Sequence, residues 1–274
     1  MQVEFWGTRG SVAAPGPFTV RYGGNTSCVA VTLTDGTLLV LDAGTGIRRL
    51  GHALAARPPV TVHLFLSHCH WDHIQGFPFF APAYCPNAHL SIYGYPAARQ
   101  KIRKTMTDQM EGAYFPVDFS QLSAKIEFID LWQDTLRLGT SRITLVETNH
   151  PGGGVGFRIQ EGDRSLVYLT DNELGTAGNG RFTGFCHGAT LLIHDAHYTP
   201  EEMETHRGWG HSSYQEVLAL ARAAEVQQVA LFHHDPERTD DAIDAMVAAC
   251  RAEMARRGDR FTCFAAAEGA VLSL

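Results

Sequence analysis

Residues 64–76, LFLSHCHWDHIQG, place His68, His70, Asp72 and His73 within six positions, directly after an apolar run. Three imidazoles and a carboxylate that close together are donors in search of a cation. Residues two apart in an extended segment point the same way, so His68 and His70 can grip one ion. Asp72 and His73, after the chain turns, can face a second. Neutral imidazole combined with carboxylate suits Zn²⁺, with Mn²⁺ or Fe²⁺ as alternatives, and no cysteine need take part. The competing reading is a surface turn that happens to be rich in histidine, and the spacing His-x-His-x-Asp-His argues strongly against it.

Such a cluster needs a rigid base. The run before it, VTVHLFLS, is nearly all apolar and reads as a central strand covered on both faces, with the cluster at its C-terminal end. Upstream, QVEFWGT, SCVAVTL and TLLVLDAG read as short strands, with TDG as a hairpin turn and a Gly/Pro-rich loop from Arg9 to Asn25. Residues 96–111 read as a helix, followed by strands near 125–130, 142–148, 155–160 and 164–170. The remainder alternates: strand ATLLIHDA, helix SSYQEVLALARAAE, strand QQVALFHH, helix TDDAIDAMVAACRAEMARR, strand RFTCF. Ser212 or Ser213 is the expected N-cap of the first of these helices, with Glu216 in its first turn. Each half thus runs as strands followed by strand–helix alternation. The expected architecture is α/β (α+β by some schemes): two sheets face to face with helices outside, a four-layer αββα sandwich forming one domain over residues 1–274. Ligands at strand ends in both halves then converge on one edge.

The 274 residues are 45% hydrophobic and 19% charged, ordinary globular usage, and no apolar run approaches the length of a membrane span. The N-terminal MQVEFWGTRG lacks a secretory pattern, and the six cysteines form no CxxC pair or dense framework, so a cytoplasmic location with reduced thiols is expected. A formal charge of −7 argues against a surface that wraps a polyanion.

Taken with LDAGTG and the strand before it, the motif resembles the metallo-β-lactamase superfamily of binuclear metal hydrolases, over the whole chain. The resemblance implies two Zn²⁺ ions. It also implies a third histidine for the first ion, His150 in ETNHPGGGVGFRI, a bridging aspartate, Asp171 in LVYLTDN, and a last histidine, His233 in VALFHHDP. His234 competes with His233 for the last position. Asp42 in LDAGTG resembles the aspartate that steadies the metal loop, and a plain turn carboxylate is the equal alternative. An aspartate at the bridging position points away from lactam hydrolases with a thiolate ligand. Having His70 rather than Glu between His68 and Asp72 points away from the diiron oxygen reductases.

Four segments, GTRGSVAAPGPFTVRYGGNTSC, HPGGGVGFRI, LLIHDAHY and GHSS, resemble the ribonuclease Z and cyclic phosphodiesterase branch. There the acidic residue and histidine of the last two segments act near the leaving group, and they fall on Asp195 and His211. GHSS also reads simply as a helix start. The chain departs from the ribonuclease pattern with Asp195 for Glu and His197 for Thr. Ribonuclease Z enzymes carry a tRNA-gripping arm between the third histidine and the bridging aspartate. Here residues 151–170 read as two strands joined by EGDR, so tRNA is disfavoured. The basic stretch Arg99, Lys101, Arg103 and Lys104 reads at least as well as a solvated helix face. The expected function is a binuclear metal-dependent phosphodiesterase for a small phosphodiester, a cyclic nucleotide or sugar cyclic phosphate. Its catalytic residues are Asp72, Asp171, His211 and Asp195. Asn25, Thr26 and Ser27 are candidate pocket residues, although Asx and Ser in a Gly-rich loop are usually turn formers. The alternatives are a lactone or thioester hydrolase, an RNA-processing endonuclease, and a metal- or partner-binding protein without turnover. A homodimer is compatible with the sequence.

Overall fold

The computed structural model describes residues 1–56, 59–95, 99–131, 135–175 and 180–274. The chain begins with an antiparallel meander of β1 (Gln2–Gly7), β2 (Cys28–Thr32) and β3 (Leu38–Leu41). It continues through α1 (Ile47–Ala55), β4 (Thr61–Phe65), α2 (Trp71–Ile74), β5 (His89–Gly94), α3 (Arg99–Asp108) and β6 (Lys125–Asp130), and β3 to β6 pair in parallel. A second meander, β7 (Thr135–Leu138), β8 (Ser141–Glu147), β9 (Val155–Glu161) and β10 (Arg164–Leu169), repeats the pattern. Then come α4 (Gly180–Cys186), β11 (Leu191–Asp195), α5 (Pro200–His206), α6 (Tyr214–Ala223), β12 (Gln228–Phe232), α7 (Asp240–Arg257) and β13 (Thr262–Ala265), with β10 to β13 parallel. Finally β14 (Val271–Ser273) returns to pair with β1. The two seven-stranded sheets run β14-β1-β2-β3-β4-β5-β6 and β13-β12-β11-β10-β9-β8-β7.

Three apolar clusters separate four layers. Between the sheets, alternate residues such as Phe5, Leu41 and Phe65 meet Phe157, Tyr168, Ile193 and Phe232, and the Phe65 and Phe157 rings meet edge-on at 5.4 Å. Outside the first sheet, Ile47 and Leu50 of α1 and Ile102 and Met106 of α3 cover Val40, Val62, Leu64 and Ile92. Outside the second, Val217 and Leu220 of α6 and Ile243, Met246 and Cys250 of α7 cover Leu192, Val229 and Leu231. This is the expected αββα sandwich.

Local signals explain the boundaries. Ser213, not Ser212, caps α6 in a full capping box with Glu216. Thr199 does the same for α5 with Glu202, and Pro200 supplies the first helical residue. The helix expected over 96–111 is α3, Arg99–Asp108, and residues 96–98 lie outside the described residues. Of its basic stretch, the side chains of Arg99 and Lys101 also lie outside them, and Lys104 is paired with Asp108 one turn on. No helix among the described residues is long and apolar enough to cross a membrane.

Candidate metal centre and active site

The parallel strands deliver their C-terminal ends to one edge of the sandwich, where ligands of α/β sheets characteristically bind. Asp42 follows β3, His68 follows β4, Asp171 follows β10, Asp195 ends β11 and His233 follows β12; His150 sits just beyond β8. Asp42, Asp171 and His233 have positive φ, at 61°, 50° and 56°. A non-glycine residue held in that region costs on the order of 1–3 kcal/mol, and such residues cluster where a side chain must be aimed.

His68, His70 and His150 bring a ring nitrogen each within 4.8 Å of one another, and a carboxylate oxygen of Asp72 and ring nitrogens of His73 and His233 do the same. Asp171 lies between the groups. Its Oδ2 is 3.8 Å from His68 Nε2 and 3.9 Å from His150 Nε2, while its Oδ1 is 3.2 Å from His73 Nε2 and 3.3 Å from His233 Nε2. Asp72 Oδ2 completes the second group at 3.2 Å from His73 Nε2 and 3.1 Å from His233 Nε2. His68 Nε2 and His73 Nε2 are buried without a hydrogen-bond partner, so these nitrogens face a common space rather than one another. Orphaned imidazole nitrogens around two carboxylates are a donor set that fits Zn²⁺ or a similar divalent ion.

Charge in the pocket agrees. Burial alone would push the Asp171 carboxyl up, but the imidazoles of His233, His73 and His68 outweigh it and hold it well below the usual carboxylate range. Asp72 is lowered in the same way, burial being overcome by His73 and His233. Burial opposes a charged His73, yet Asp72, Asp171 and Asp42 raise it well above the ordinary imidazole value. Burial lowers His68 and His150. Carboxylates that favour the charged form of a buried imidazole mark a place that attracts positive charge.

Around this cluster the sequence places supports. Asp42 is fully buried and accepts from Ser67 N–H (2.7 Å), Ser67 Oγ (2.8 Å) and Tyr168 Oη (2.8 Å), while its Oδ2 lies 2.8 Å from His73 Nδ1. That contact fixes the His73 tautomer so that Nε2 faces the site. The Ser11 N–H donates to Asp72 Oδ2 at 2.8 Å. Two glycines are required by close approach: a Cβ on Gly10 would stand 2.3 Å from His233 Nδ1, and one on Gly210 2.1 Å from His150 Nδ1. His234 is turned away, with its Nε2 2.9 Å from the Ala266 carbonyl and burial pushing it down to about 3. His233 is therefore the histidine that joins the cluster.

His211 Nδ1 lies 2.8 Å from Asp195 Oδ2. Asp195 is fully buried; burial would raise it, but hydrogen bonds from His194 and His211 prevail and keep it below the usual range. With Nδ1 engaged, His211 turns Nε2 toward a cavity of about 490 Å³ that it lines with His70, Asp72, His150, Asp171 and His233. His197, noted in the sequence only as a departure, stacks on His211 at 4.5 Å and 19° and places Nδ1 2.9 Å from the His233 carbonyl. His197, His211 and His233 also bring a ring nitrogen each within 4.8 Å of one another, with the His197 and His233 rings tilted at 39°. Asn25, Thr26 and Ser27, expected as pocket residues, do not line this cavity. Asn25 binds Glu268 through its backbone N–H and its side-chain amide, Thr26 exchanges hydrogen bonds with Thr45, and both Thr26 and Ser27 are fully buried. Their work is to tie the first loop down.

Residues 37–234 match the family model described as the Beta-lactamase superfamily domain. The chain belongs to that superfamily. A ribonuclease Z of Haloarcula marismortui is 24% identical over 85% of this chain and 86% of its own length. Among solved structures, the metallo-beta-lactamase fold protein YhfI from Bacillus subtilis superposes with a TM-score of 0.74 at 22% identity, over 99% of this chain and 98% of its own. A diphosphatase from the PhnP family gives 0.70 at 17%, over 100% and 97%. Zn²⁺-bound PqqB from Methylobacterium extorquens gives 0.70 at 15%, over 100% of both chains. These likenesses establish the fold. With its family match and ribonuclease relatives, this superfamily member is a hydrolase.

Proposed function

We propose that the chain works as a single domain, residues 1–274, and hydrolyses a small phosphodiester such as a cyclic nucleotide or a sugar cyclic phosphate. The observation that carries this reading is His211 seated on Asp195 at 2.8 Å beside the ligand cluster. An alkoxide leaving group needs a proton, and a buried carboxylate that orients an imidazole keeps one available. A thioester hydrolase, whose thiolate departs without a proton, has less use for that pair. The ribonuclease and diphosphatase likenesses support phosphorus–oxygen chemistry. The short hairpin of β9 and β10, where the ribonuclease resemblance would place a tRNA-gripping arm, favours a small substrate.

His68, His70 and His150 would hold one divalent ion, Asp72, His73 and His233 a second, and Asp171 would contact both. Zn²⁺ fits the donors best, with Mn²⁺ or Fe²⁺ as alternatives. When bound, such ions acidify water and offset the negative charge that builds on phosphorus oxygens. The rest falls to the protein. Asp171 keeps the two halves in register, Asp42 holds His73 at its angle, and His211 Nε2 delivers a proton to the departing ester oxygen while Asp195 stabilises the charged ring. Six cysteines without a disulfide fit a reducing, cytoplasmic setting. Metal-replete protein should hydrolyse cyclic nucleotides or sugar cyclic phosphates in a panel with aryl diesters and lactones. Activity confined to lactones would overturn the reading.

A further inference from the structure

Trp71 is the outlier of α2. Asp72, His73 and Ile74 are buried, whereas Trp71 is 77% exposed. An isolated exposed apolar side chain is ordinary, but the position of this one is not. It is bonded to both His70 and Asp72, and the backbone beneath it is pinned by His73 N–H to His70 O (3.0 Å), Gln75 N–H to Trp71 O (2.7 Å) and Ala43 N–H to His73 O (2.7 Å). The indole makes no hydrogen bond or ring contact among the described residues. It lines the same cavity of about 490 Å³ as the ligand cluster, and every other lining side chain is an imidazole, carboxylate, hydroxyl or thiol. That volume lies within the range of small-molecule sites. An apolar part of a ligand entering this cavity therefore has one large surface to rest on, and that surface is flat, uncovered and carried on a pinned backbone.

We propose that Trp71 is a stacking platform for a planar aromatic group, which narrows the substrate to phosphodiesters that carry a nucleobase. This rests on the phosphodiesterase reading above, and the test separates the two. Base–aromatic stacking removed by alanine substitution corresponds to about 5- to 150-fold in affinity. Calorimetric titration of the metal-replete protein should show adenosine monophosphate binding tighter than ribose 5-phosphate by a factor in that range. Trp71→Ala should bring the two ligands level, and Trp71→Phe should restore most of the preference. In turnover, Trp71→Ala should raise KM for cyclic AMP by the same factor with kcat within about twofold, since a contact made equally in ground and transition states acts on KM. If the binding preference follows Trp71 while no phosphodiester is hydrolysed, the platform stands and the assigned reaction falls. Equal binding of the two ligands by the wild type, undetectable binding of both included, would overturn the platform. So would an equal loss for both ligands in Trp71→Ala.

Discussion

His211→Ala isolates the proposed delivery of a proton to the leaving oxygen. The imidazole is 2.8 Å from Asp195 and lines the cavity, so the substitution removes the proposed proton donor and leaves every proposed metal contact in place. General acid catalysis contributes on the order of 10² to 10⁴ in rate, or roughly 3–5 kcal/mol of barrier. That loss should appear in kcat/KM for a cyclic nucleotide, whose ribose oxygen leaves poorly as an alkoxide. A p-nitrophenyl phosphodiester, whose leaving group departs without a proton, should lose far less. Asp195→Asn keeps the imidazole and an acceptor for it but removes the charge. Hydrogen bonds to charged groups exceed neutral ones by about 1–1.5 kcal/mol, so this variant should slow the alkyl substrate by roughly tenfold and the aryl one little. The ring of His211 lies 5.1 Å from that of His233, so metal content must be measured alongside the rates. Equal losses on both substrates with metal retained would refute proton donation and make His211 a phosphate-binding or loop-supporting residue.

Other perturbations test the centre itself. Asp171→Ala should nearly abolish turnover and lower metal content, because its two oxygens face different imidazole pairs; elemental analysis with kcat checks this, and wild-type values for both would refute the bridging assignment. Asp42→Ala should weaken metal binding or activity by about 10- to 100-fold by freeing His73, as read by competition with a chromogenic chelator. Metal analysis should return two ions per chain, and EDTA should lower the melting temperature. At an ion concentration 100 times Kd the coupling is about 2.7 kcal/mol, or roughly 5–10 °C for a chain of this size.

Much of this was legible in the chain because its signals are local. Apolar runs such as VTVHLFLS and ATLLIHDA became β4 and β11, and S-x-x-E at Ser213 became the cap of α6. What escaped lacked a local signal or depended on a distant partner. Helix α1 starts at Gly46 with no side-chain cap, α2 is a single turn made of the site residues themselves, and β14 has three residues that acquire meaning only by pairing with β1. Helix α5 was readable, since Thr199, Pro200 and Glu202 spell a complete start. Among site residues, the part played by His197 depends on a carbonyl 36 positions away, and Ser11 contributes through its backbone. Tyr168 did leave a trace: a tyrosine in a buried strand must find a partner for its hydroxyl, and that partner is Asp42.

The two halves explain why one edge can hold so many charged groups. In each, an antiparallel meander leads into three parallel pairings, so β3 corresponds to β10, β4 to β11 and β5 to β12. After β3 the chain turns left-handed at Asp42, and after β10 it does so at Asp171. The equivalent carboxylates have different surroundings. Asp42 is surrounded by Ser67, Tyr168 and His73 and is satisfied by hydrogen bonds. Among the described residues Asp171 accepts from the Thr170 hydroxyl, at 2.7 Å, and otherwise faces imidazoles, with His73 and His233 at 3.2 and 3.3 Å. A buried carboxylate surrounded mainly by imidazoles is costly unless positive charge accompanies it. The difference in neighbours, rather than in position, therefore makes one aspartate a support and the other a point where positive charge must gather.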